Sequence, residues 1–102
     1  MIGGKDHVIE FSIGVQSQTV QYAHKWLENR FPGGTWEEVG EKERFYNVPA
    51  GERDQSRYIH VLQRENDLTF VTDGLPDHDA AIEELARNFE YNFQAFGVSF
   101  KR

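Results

Sequence analysis

The chain opens, after a short polar lead, on "HVIEFSIG", where Ile9, Phe11 and Ile13 alternate with Val8, Glu10 and Ser12. Alternation at period two places the first set on one pleat face and predicts a half-buried strand that stops at Gly14. The period then changes. In "SQTVQYAHKWLENRF", Val20, Ala23, Leu27 and Phe31 recur at three-and-four spacing, so Ser17 to Phe31 reads as an amphipathic helix with Ser17 as its N-cap. "PGG" at Pro32 to Gly34 ends it, because proline cannot continue the helix and glycine accepts a positive φ on the way out.

Two short strands are expected next, Thr35 to Val39 and Glu43 to Val48, turned at Gly40 to Lys42. Pro49 to Ser56 has the Pro, Gly, Asp and Ser content of an exposed loop, and Glu52, Arg53, Asp54 and Arg57 make it a further recognition candidate. "RYIHVLQ" and "DLTFVT", joined at "REND", read as a hairpin at the centre of the sheet. The last helix is expected from about Asp77 to Phe96. Ile82, Leu85, Phe89, Phe93 and Phe96 share its apolar face, Gly97 caps it, and "VSFKR" forms a short edge strand or a tail. The order β-α-β-β-β-β-α predicts an α+β fold, an antiparallel sheet of four to five strands with both helices on one face.

A length of 102 residues allows one domain, with residues 1–6 expected to fray. The absence of cysteine excludes disulfides, thiolate metal sites and cysteine nucleophiles. No apolar run resembles a signal peptide or a membrane span, so an intracellular, cytoplasmic protein is expected.

Charge changes the picture more. The formal net charge is −6, and between Asp73 and Phe96 six acids (Asp73, Asp77, Asp79, Glu83, Glu84, Glu90) face one base, Arg87. Nearly all the net charge therefore lies on one element. A phosphate backbone repels such a surface, so no direct nucleic-acid binding is expected.

Candidate chemistry is sparse. Asp73, Asp77, His78 and Asp79 could be read as a hard-metal or zinc site, but adjacent residues converge poorly, and carboxylates at a helix start ordinarily complement its dipole. His24, between Val20 and Leu27, suits a hydrogen-bonded core position. His60, mid-strand, could act as a general base with a carboxylate partner in a pocket between sheet and helices. Neither a G-x-S-x-G setting nor a phosphate-cradling glycine loop occurs. No metal, cofactor or catalytic residue is therefore expected.

The remaining candidates are surfaces. Asp79, Glu83 and Glu90 fall on one flank of the last helix, with Glu84 and Tyr91 further round and Glu83 spaced to pair with Arg87. On the first helix Tyr22 and Trp26 lie off the apolar stripe, and exposed aromatics often anchor interfaces. Together these residues point to a small inhibitor or adaptor that docks an acidic helix on a basic surface of a nucleic-acid-handling partner protein. It would imitate nucleic acid, a profile shared by small viral accessory proteins. The alternatives are a His60 enzyme and a homo-oligomeric assembly subunit.

Overall fold

The computed structural model describes residues 6–11, 14–49, 57–72, 75–93 and 95–101. The chain runs β1 (Asp6–Phe11), α1 (Ser17–Arg30), β2 (Thr35–Gly40), β3 (Glu43–Val48), β4 (Arg57–Gln63), β5 (Asp67–Thr72), α2 (Pro76–Phe93) and β6 (Ala95–Lys101). All strands join one antiparallel sheet in the order β2-β3-β4-β5-β1-β6, with the β4–β5 hairpin at its centre. The α+β class and the β-α-β-β-β-β-α order expected from the pattern are found.

The far end of the chain departs from expectation. The helical period suggests continuation to Phe96 under a Gly97 cap, yet α2 ends at Phe93. Gly97 lies instead inside β6, opposite Glu10 of β1, making a sixth strand. The edge of β1 is the reason: a strand pairing only with β5 leaves one row of backbone groups open, and β6 closes it.

Register fixes the two faces. Tyr46 lies opposite Ile59, Ile59 opposite Thr72, Val61 opposite Phe70, and Phe70 opposite His7. These side chains share the inner face, where Ile9, Phe11, Ile59, Leu68 and Phe70 meet Val20, Ala23 and Leu27 of α1 and Ile82, Leu85, Ala86 and Phe89 of α2 in one buried cluster. The Phe89 ring meets Phe11 edge-on at 5.2 Å and Tyr22 at 5.5 Å. Each fully buried Leu, Ile or Phe among them contributes about 1.5 to 3 kcal/mol. The opposite face, free of helices among the described residues, carries Phe45, Tyr58 and His60.

The ends of α1 are built locally. Gln16, not Ser17, is the N-cap, and its N–H donates to Thr19 Oγ1 at 3.1 Å while the Thr19 hydroxyl returns a 2.6 Å bond to the Gln16 carbonyl. At the exit Gly33 takes φ 89°, as the "PGG" signal implies. Gly34 answers a different demand: a Cβ there would come within 2.5 Å of the Tyr46 ring and 2.7 Å of the Asn47 carbonyl. The Tyr46 hydroxyl donates to the Phe31 carbonyl just before this turn, tying the helix exit to β3.

Candidate functional site

The outward face of α2 follows from its period. About 100° per residue places Glu90, Glu83, Arg87, Tyr91 and Glu84 within roughly 120° of the helix surface, opposite Ile82, Leu85 and Phe89. All five are exposed, Tyr91 to 89%. Glu83 and Arg87 are spaced for a pair but do not close into ion-pair contact, and no ion pair among the described residues engages Glu84 or Glu90. The gain from an exposed pair is small against the side-chain freedom it would cost. Among the described residues of this face, three carboxylates therefore stand against one base, and most of the negative charge stays unneutralised.

Asp79 does not belong to that face. It is 7% exposed, and its Oδ1 accepts from the Thr72 hydroxyl at 2.5 Å and lies 3.1 Å from Nε2 of His7, itself fully buried. Asp79 thus joins α2 to the neighbouring strands β1 and β5. Only the wheel position, at the border between the acidic flank and the apolar one, carries a trace of this in the sequence. Nothing local marks His7 as its partner, since 72 residues separate them.

The residues weighed and set aside as a metal site do not converge among those described. Asp77 is exposed, His78 is buried with its ring edge-on to Phe31 at 5.1 Å, and Asp79 turns to the core. Asp73 lies outside the described residues, as do positions 50–56 of the loop considered for recognition. Among the described residues no three His, Asp or Glu side chains gather into a metal-binding group.

Tyr22 and Trp26 are half-buried and pack against the core, Tyr22 on Phe89. Their flank of α1 is occupied by the contact with α2, so they offer only partial surface. The other flank of α1 borders a cleft of about 720 Å³, lined by Ser17, Gln21, His24, Trp36, Glu38, Arg44 and Gln63. It lies where α1 covers the inner face of β2 and β3 only in part, reaching Trp36 but leaving the ends at Glu38 and Arg44 open. His24 lies at its edge with its ring 4.3 Å from that of Trp36, half-buried, not the hydrogen-bonded core residue its sequence position suggests. Burial first, then the Arg44 guanidinium, hold its pKa below the usual imidazole range. Trp36 is fixed by a 2.7 Å bond from its indole N–H to Glu28, and Arg44 donates to Glu38 at 3.1 Å.

His60 does acquire a carboxylate partner. Its Nε2 lies 2.8 Å from Glu43 Oε2, and its ring stacks on Phe45 at 4.2 Å. The pair sits on the helix-free face, whereas the enzyme reading needs a pocket between sheet and helices. The partner comes from cross-strand register: Phe45 lies opposite His60, and Glu43, two residues before it on β3, is the diagonal neighbour, which sequence spacing does not reveal.

No known protein family, curated protein or solved structure matches this chain. No helix among the described residues is long and apolar enough to cross a membrane.

Proposed function

We propose that this chain is a small protein-binding module, an inhibitor or adaptor, whose working surface is the outward face of α2. The observation that carries the reading is the exposure of Glu83, Glu84, Glu90 and Tyr91 together, with three carboxylates against the single base Arg87 and no ion pair to any of them among the described residues. Side chains three, four and seven positions apart stand in line along a helix, as phosphates do along a strand of nucleic acid. The complementary surface is a basic groove of a nucleic-acid-handling protein. Exposed carboxylates would steer the encounter, and Tyr91, a large side chain with few degrees of freedom, would anchor the contact at its C-terminal end. Occlusion of the groove then inhibits without turnover. Asp79 has no place in this contact, and Tyr22 and Trp26 contribute at most their exposed edges.

Affinity capture from the native lysate tests the reading, with wild type beside a Glu83→Lys, Glu90→Lys variant and a charge-matched Glu37→Lys, Glu41→Lys control on and beside β2. The expected result is a basic, nucleic-acid-binding protein retained by wild type and by the control, lost on the α2 reversal, released by moderate salt, and displaced from its nucleic acid by the wild-type chain. Identical retention by all three proteins, or equal loss from both variants, would show that α2 is a solvated face and no more.

A further inference from the structure

A second cleft, of about 440 Å³, opens where the exit of α1, the start of β4 and the start of α2 converge. Its lining differs in chemistry from the acidic face. Arg30 comes from the last turn of α1 and Arg57 from the first position of β4, while Phe31, Val48 and Leu75 supply apolar walls. Asp77 is the carboxylate among the described lining residues, so the fixed charges there sum to one positive in a chain of net −6.

Arg57 gives the cleft a specific demand. Its Nε is shielded from solvent and has no hydrogen-bond partner among the described residues, an arrangement that buried polar atoms rarely keep. Arg30 rests over the Phe31 ring, its guanidinium carbon 4.9 Å from the centroid, a contact that leaves the N–H groups at the guanidinium edge to donate. The N-terminus of the 18-residue helix α2 adds its positive dipole end. The N–H groups of His78 and Asp79 already donate to the Leu75 carbonyl at 3.0 Å, so these two add only to the field and not to the donors.

We propose that this cleft binds a small organic phosphate, with its oxyanion held by Arg57 and Arg30 and its apolar part seated against Phe31, Val48 and Leu75. Guanidinium groups bind oxyanions through paired N–H donors. One such fork takes both oxygens of a planar carboxylate along one edge, whereas a tetrahedral phosphate monoester has a third terminal oxygen out of that plane and up to a second negative charge, which suits it better to two forks arriving from two elements. This site is separate from the outward face of α2 and stands or falls independently of it.

Phenyl phosphate is the probe, titrated into the full chain and followed by amide and arginine side-chain NMR, with inorganic phosphate and benzoate as comparisons. Saturable shifts centred on Arg30, Phe31, Arg57 and His78 are expected, with both comparisons binding more weakly. Arg57→Gln and Arg30→Gln should each weaken phenyl phosphate by about tenfold or more, and Asp77→Asn should tighten it. Arg30 is exposed, so its variant reports on binding even if the Arg57 variant folds poorly. Absence of saturable shifts at about 10 mM probe, which bounds the affinity at the weak end of specific ligands, overturns the proposal. So does unchanged affinity in Arg30→Gln, or benzoate binding as tightly as phenyl phosphate.

Discussion

Asp79 stands in the first turn of α2, where a carboxylate complements the helix dipole, yet its oxygen serves Thr72 and His7 on two strands. Removing it takes a shared acceptor from two buried polar groups, so Asp79→Ala should cost about 1 to 3 kcal/mol in chemical denaturation, and Asp79→Asn, which keeps a carbonyl acceptor, less. Glu83→Ala, one turn further along, should leave stability within about 0.5 kcal/mol. Equal effects at the two positions would contradict the inward role of Asp79. His24 makes a separate prediction. Its folded pKa lies below its ordinary 6.5, so as pH falls the unfolded chain takes up the proton first and the folded state loses stability. The loss begins as pH drops through the unfolded value, from about pH 7.5, and levels off below the folded one. Thermal unfolding across that window should show a shallower pH slope for His24→Gln than for wild type; parallel slopes would dismiss the shift. Neither role is legible from the residue's neighbours in sequence. The acidic flank conceals Asp79, and the apolar stripe conceals the cleft beside His24.

At the level of elements, most of the chain is legible because period and punctuation are local. β3, β4 and β5 lie where alternation puts them, and α1 begins at Ser17 and stops at the proline–glycine signal. The failure is β6. Phe93 and Phe96 extend the spacing of Leu85 and Phe89, so the pattern favours more helix, and only the open edge of β1 selects a strand. The pairing supports a direct test. A chain ending at Phe93 keeps both helices but exposes the β1 edge along Asp6–Phe11. It should lose several kcal/mol of stability and self-associate at concentrations where the full chain is monomeric, because an unpaired edge templates further pairing. Denaturant titration and light scattering check both. A truncated chain as stable and as monodisperse as the full one would show that β6 adds nothing to the fold.

For the molecule as a whole, strand order governs how it assembles. Val8 pairs with Thr69 on one side and Ser99 on the other, so β1 waits for partners from the far end of the chain. Closing such long loops before contacts reward them slows folding, and stopped-flow refolding should relax over milliseconds to seconds, as for folds rich in non-local pairing, not in about microseconds. By itself the sequence determined the α+β class, the span of most elements, the inward stripe of each helix and the concentration of negative charge on α2. Those properties depend on side-chain period, capping chemistry and composition, which act over a few residues. Only the tertiary structure decided that β1 lies between β5 and β6, that Asp79 turns inward while Glu83, Glu84 and Glu90 stay out, that Glu43 meets His60, and that Arg30 and Arg57 border one cleft. Each of these joins residues far apart in the chain, and pairing across a sheet is set by which edges remain open and by the register that buries one face.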